Sequence, residues 1–228
     1  MKLTPISYKS IPHMYPYLKD NNEDGTLPQG QVDLLTKKER PGDIITVTEK
    51  LDGSNMGVWK INDELIITNR YGYSAKDSKR EFHRLFYDWV MLRRKQFDEL
   101  VVEGEHVCGE WLPLAHGTIY KRLNINSIFE IFDIRIPNGR RLFSDTVERC
   151  NKVDLQTVPV LHYGKAIQYG NINYMPFGDP QEGSEGMVYR LENDEGFQFA
   201  GKILFRPMTS GQYLNDDNPI WNFNLGEI

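Results

Sequence analysis

Apolar and polar positions alternate in short runs through most of the chain, and the period of those runs divides it into elements. Ile44-Ile45-Thr46-Val47, Met56-Gly57-Val58-Trp59 and Leu65-Ile66-Ile67-Thr68 are β-prone runs separated by Asp52-Gly53 and Asn62-Asp63. Residues 43–69 therefore predict three strands of an antiparallel meander. Over residues 80–102 the period lengthens, with Phe82, Leu85, Phe86, Trp89 and Val90 at i, i+3, i+4, i+7 and i+8. That is the core stripe of an amphipathic helix, and Arg84, Arg93, Arg94 and Lys95 form its solvated face. Residues 105–112 and 127–134 return to strand, as do 183–190 and 197–207, and residues 144–152 predict a short helix capped by Ser144 or Asp145. Residues 1–42 show little periodicity and read as loop with room for short elements, and residues 164–181 are loop-rich; the aromatics of the lead imply that it packs on the body.

The elements mix strands with one longer and one shorter helix. Charged residues make up 26% of the 228 residues and hydrophobic ones 39%, the balance of a soluble globular protein. No apolar run reaches the ~20 residues of a membrane span, and the first residues do not open a signal peptide, so a cytoplasmic, intracellular protein is expected. Two cysteines, Cys108 and Cys150, without a C-x-x-C pair predict neither a disulfide framework nor a zinc site. A net charge of −5 gives no global signature for gripping long polynucleotides, though a local basic groove is compatible with it.

The candidate chemistry starts at Glu49-Lys50-Leu51-Asp52-Gly53-Ser54-Asn55, where a strand ends and a bend begins. A lysine at a strand end is held on rigid backbone, and it becomes a nucleophile only as the neutral amine, reached by desolvation or neighbouring cations. The same four letters, Lys-x-Asp-Gly, also make an ordinary exposed hairpin, so the rest of the chain decides. Downstream stand Arg70-Tyr71-Gly72, Gly109-Glu110-Trp111, Phe129-Glu130-Ile131-Phe132-Asp133-Ile134, Glu185-Gly186-Met187-Val188 and Ala200-Gly201-Lys202, each on or beside a predicted strand.

This ordered series, spanning residues 43 to 207, resembles the motifs of the covalent nucleotidyltransferases, the superfamily of ATP-dependent ligases and capping enzymes. Asn55 after Lys-x-Asp-Gly-Ser, Gly-Glu-Trp-Leu and Phe-x-x-Phe-Asp are similar to the phage-type RNA ligases, in particular the RNA ligase 2-like nucleotidyltransferase domain. The resemblance implies an α+β fold, an ATP-grasp-like domain of two antiparallel β-sheets with flanking helices over residues 43–207. A lead of 1–42 and a C-terminal extension of 208–228, too short for an OB domain, would flank it.

The roles below are those the resemblance implies. Lys50 attacks the α-phosphorus of ATP and forms lysyl-AMP, with Lys202 stabilising the charge that builds. Glu49, Asp52, Gly53, Asn55 and Arg70 surround the nucleotide, Glu110 accepts from the ribose hydroxyls, and Phe132 or Phe129 stacks on the purine. Three positions apart in a strand, those two phenylalanines face opposite sides, and Phe132 is preferred. Glu185, with Asp52, places Mg²⁺ or Mn²⁺, and Arg206 compensates for Leu204, which stands where a second lysine is often found. AMP then passes to a 5′-phosphate end, which a 3′-hydroxyl seals. His116 and Tyr120 are candidates to contact substrate. RNA ends are the expected partner, with DNA or hybrid ends, a GTP-using capping enzyme, and a domain needing a protein partner for sealing left open, as is a viral origin.

Overall fold

The computed structural model describes residues 1–4, 8–15, 24–120, 123, 125–173, 184–205, 213–214 and 218–224. The chain divides into two compact units: one of Met1–Lys9, Asp52–Thr157 and Gly211–Ile228, the other of Ser10–Leu51 and Val158–Ser210. Each unit carries one antiparallel sheet.

The second unit begins with α1 (Gln29–Thr36) and β1 (Ile44–Lys50), and its sheet has the order β7-β1-β8-β9, with β7 (Val160–Gly164), β8 (Gly186–Asn193) and β9 (Gly196–Leu204). Val32 and Leu35 of α1 pack with Ile45, Val47, Met187, Tyr189 and Leu191 in its core. Alternation sends Thr46, Thr48 and Lys50 to the other face of β1. The first unit holds β2 (Ser54–Ile61), β3 (Glu64–Asn69), β4 (His106–Trp111), β5 (Phe129–Ile136) and β6 (Gly139–Arg140) in the order β3-β2-β4-β5-β6. Its core is built on the aromatics Phe86, Trp89, Phe97, Trp111 and Phe129.

The three-strand meander is not what forms. β1 pairs with β7 and β8, whereas β2 pairs with β3 and β4. Asp52-Gly53 is thus no hairpin turn; the chain leaves one sheet there and enters the other. The reason is burial: five of the seven residues of β1 are inaccessible, and a strand buried in this way needs a neighbour on each side. The expected helix over 80–102 is two helices, α2 (Glu81–Leu92) and α3 (Arg94–Leu100), broken at Arg93. The Arg93 guanidinium sits 4.4 Å from the centre of the Trp89 ring. α4 (Phe143–Lys152) starts at Leu142 with no side-chain cap, so neither Ser144 nor Asp145 plays the expected part.

Glu105, 2% exposed, ties α4 to the sheet of the first unit. Its carboxylate accepts from Arg149 at 2.6 and 3.0 Å, from Arg141 at 2.8 Å and from the Val102 N–H at 3.1 Å. Burial alone would raise its pKa, but the hydrogen bonds, Arg149's first, bring it below the ordinary carboxyl value. Because the folded pKa is depressed, this stabilisation is present above the ordinary value near 4.5 and is lost as pH falls through the folded one. Glu105→Ala removes the carboxylate that Arg141 and Arg149 share and is expected to cost about 3 kcal/mol in urea unfolding at pH 7, a cost that shrinks as pH falls through the folded value.

Candidate functional site

In the second unit the sheet register brings two lysines to one face. Lys50 is opposite Gly186, which is opposite Leu204; one step along, Thr48 is opposite Val188, which is opposite Lys202. The rows Lys50/Gly186/Leu204 and Thr48/Val188/Lys202 are separated by one row of opposite facing, so both amines leave the sheet on the side away from its core. Leu204 lies in the row of Lys50 itself.

Lys50 is 26% exposed and donates to Glu185 Oε2 at 2.6 Å. The sequence predicted a desolvated amine; the structure adds a carboxylate, and such a pair favours the ammonium form. Lys202 is 9% exposed and is bonded to Asp24 Oδ2. Burial lowers its pKa, the bond to Asp24 opposes that, and Lys50 lowers it further. His13 lies 4.0 Å from the same Asp24 oxygen; burial, Lys202 and Lys50 all lower its pKa, against Asp24, which leaves the ring neutral at pH 7. Glu49 is buried, and its N–H donates to Pro159 O at 2.9 Å.

In the first unit the bend is clamped residue by residue. The Asp52 N–H donates to the Tyr120 hydroxyl at 2.8 Å, and Asp52 Oδ2 accepts from the Gly117 N–H at 2.6 Å. The Gly53 N–H donates to Glu110 Oε1 at 2.9 Å, and Ser54 Oγ is 3.1 Å from His116 Nε2. Asn55 is opposite Glu110 across β2 and β4, and its carbonyl accepts from the Arg70 N–H at 3.1 Å. Asp52, Gly53, Asn55, Glu110 and Arg70 are therefore one cluster. Burial holds the pKa of His116 below its ordinary value despite Asp52. Here His116 and Tyr120 bond the bend itself.

Arg70 also donates through Nε to Tyr8 O at 3.1 Å. Tyr8 in turn donates its hydroxyl to Asp133 at 3.1 Å, accepts from Arg140 at 2.7 Å, and meets the Phe132 ring edge-on at 5.0 Å between centroids. Asp133 is wholly buried against Arg140 at 2.6 Å. A bulge explains why Phe132 and Asp133 share a side: Cys108 is opposite Asp133 and Gly109 opposite Ile131, so Phe132 is the extra residue. Ile131 and Ile134 can then both enter the core. Phe129 is 1% exposed among Phe86, Trp89 and Phe97, a core residue. Arg206 lies outside the described residues. Tyr8, Asp24 and His13 were not foreseen, because the lead that carries them has no periodic signal.

Among the described residues no three His, Cys, Asp or Glu side chains converge on a metal position. A largely hydrated divalent ion held by one or two carboxylates, Glu185 foremost, and by phosphate oxygens needs no such cluster, so the residues present fit it.

No curated protein matches the sequence. The archaeal ATP-dependent RNA ligase, form 1, is 16% identical with a TM-score of 0.47 and covers 71% of this chain and 42% of its own. The Naegleria gruberi RNA ligase with PPi is 18% identical, TM-score 0.52, over 89% of this chain and 59% of that one. A mutant of the same ligase with ATP and Mn is 17% identical, TM-score 0.54, over 89% and 60%. The two Naegleria structures share the fold, and the chain spans between 42% and 60% of the lengths of the chains in these three structures. The sequence model of the RNA ligase family matches residues 43–204, which hold Lys50, Glu110, Glu185 and Lys202, and by that match the chain belongs to the RNA ligase family.

Proposed function

We propose that the protein is an ATP-dependent RNA ligase acting through lysyl-AMP at Lys50. The observation that carries this is the common face of Lys50, Glu185 and Lys202 within a chain of this family. Lys50 Nζ, once released from Glu185, gives a proton to solvent and attacks the α-phosphorus of ATP, losing a second proton to solvent as the N–P bond forms. The bond from that phosphorus to the bridging oxygen breaks and pyrophosphate leaves with the electron pair. Lys202 stays cationic beside Asp24 and offsets the charge that builds on the phosphoryl oxygens. Glu185 would hold the divalent ion, Mg²⁺ or Mn²⁺, which neutralises phosphate charge when bound.

In the first unit, Glu110, whose carboxylate accepts from the Gly53 N–H, also accepts from the ribose hydroxyls. Phe132, half-buried at its bulge, supplies the ring for the purine, and Arg70 meets phosphate. AMP next moves from Lys50 to the 5′-phosphate of an RNA end as a 5′-5′ pyrophosphate, and a 3′-hydroxyl displaces it to seal the strand. The neighbouring structure with ATP and Mn supports the choice of nucleotide and metal. The test is intact mass after incubation with ATP and Mn²⁺, then sealing of a nicked RNA duplex by the adenylated protein. A gain of one AMP and a sealed product are expected; no adduct with ATP, or an adduct with GTP instead, would reject the proposal.

The clamp on the bend gives a subtler expectation. Tyr120→Phe deletes the hydroxyl that accepts from the Asp52 N–H and leaves the buried ring, so the adenylation rate should fall about 5- to 10-fold, the worth of one hydrogen bond. Rapid-quench adenylation at saturating ATP would measure it.

A further inference from the structure

The lead does more at Lys202 than cover it. The Met14 N–H donates to Lys202 O and the Lys202 N–H to Pro12 O, both at 2.9 Å, so residues 12–14 lie along β9 as a short extra strand. A second stretch is tied to the first: the His13 N–H donates to Gly25 O at 2.9 Å and the Leu27 N–H to His13 O at 2.8 Å. This double strap fits because residue 201 is glycine; a Cβ there would stand 2.5 Å from Leu27 and 2.6 Å from Met14. The strap delivers one carboxylate, Asp24, to the Lys202 amine, with the His13 ring behind it.

We infer that Asp24 is a positioning residue for Lys202, one that fixes the amine where the transferring phosphoryl group needs a cation. The inference rests on the ligase reading above. Four groups on this unit are paired two by two, Lys50 with Glu185 and Lys202 with Asp24. The two pairs differ in what the reaction asks of them. Lys50 must leave its carboxylate to become a nucleophile, whereas Lys202 must keep its charge and its place throughout. A carboxylate strapped to the backbone of β9 suits the second task, since it moves with the strand that carries the lysine. Lys202 is also buried beside another lysine, a setting that disfavours its cation, and Asp24 opposes this.

Because charge on the phosphoryl oxygens peaks in the transition state, loss of Asp24 should slow the step more than it weakens ATP binding. The test compares wild type, Asp24→Asn and Asp24→Glu in two readouts. The first is acetylation of Lys202 by an amine-reactive ester, followed by peptide mass spectrometry in the absence of ATP. The second is the rate of lysyl-AMP formation at saturating ATP and Mn²⁺, with the half-saturating ATP concentration. Asp24→Asn should label Lys202 about 3- to 10-fold faster as its partner is lost. Its adenylation rate should fall about 10- to 100-fold, the range for a charged hydrogen bond, with half-saturation shifted by less than about 2-fold. Asp24→Glu should recover most of both.

Labelling at the wild-type rate in Asp24→Asn overturns the contact, and faster labelling with an unchanged adenylation rate overturns the positioning role. A loss confined to half-saturation also overturns it, by making Asp24 a binding residue. If wild type forms no adduct, the ligase reading fails, while Lys202 labelling still decides for or against Asp24.

Discussion

Lys50→Ala is expected to abolish the AMP adduct completely, the largest effect of any single substitution in this chain. Among the described residues no other amine on that face is placed to replace it: Lys202 is paired with Asp24 and stands in a different row of the sheet. Lys50→Arg should fail equally, because a guanidinium is never neutral at working pH and cannot act as the nucleophile. Lys202→Ala, in contrast, removes a stabilising cation and not the attacking atom, so its adduct should form about 10²- to 10³-fold more slowly and still reach completion. These outcomes separate by intact mass after incubation with ATP and Mn²⁺, read at minutes and again overnight. Lys50 is partly exposed at the last position of β1, but its partner Glu185 is 8% exposed, so a melt of each variant accompanies the assay to separate lost chemistry from lost fold. An adduct of normal yield on Lys50→Ala, mapped to any other residue, would remove the basis for the proposed function.

The sequence pattern located seven of the nine strands of the described residues and missed β6 and β7, because β6 is two residues long and β7 carries a weak apolar run. It said less about partners. Whether β1 joins β2 or instead β7 and β8 is decided by residues more than a hundred positions downstream, such as Val160 and Gly186 opposite Thr48 and Lys50; no local window contains that information. The same limit applies at Phe132. The spacing of Phe129 and Phe132 separates them onto two faces of a regular strand, and the bulge that puts Phe132 beside Asp133 and Tyr8 becomes visible only through the register with β4. The lysines and glutamates of the motifs were legible because they sit at fixed places in or beside strands. Asp24 and Tyr8 were not, since an aperiodic lead gives no reason to prefer one polar residue over its neighbours. What binds them, the strap on β9 and the Arg70–Tyr8–Arg140 network, is long-range in both cases.

Gly186→Ala is expected to be the most destabilising small change near the site. Gly186 opens β8 between Lys50 on one side and Leu204 on the other. A Cβ built there lies 1.9 Å from Ile203 O and 3.0 Å from its carbonyl carbon, and both are backbone atoms that no rotamer change can move aside. The methyl group can be admitted only if β9 separates from β8. That separation would break the pairing of Val188 with Lys202 and the bond from the Phe205 N–H to Glu185 O at 3.1 Å, so strain at one glycine displaces both the carboxylate beside Lys50 and the second lysine. Overpacking against rigid backbone should cost about 3 kcal/mol, a fall of about 6–12 °C in the thermal midpoint of a protein this size. Adenylation should fall with it even at temperatures where the variant remains folded. Gly170→Ala is the matched control, since a Cβ at Gly170 meets nothing within 4 Å, and it should melt like wild type. Circular dichroism melts of the two variants, with adenylation measured well below either midpoint, distinguish a general loss of stability from a displaced β9. Full activity in folded Gly186→Ala would mean that the close approach of these two strands does not set the positions of Glu185 and Lys202.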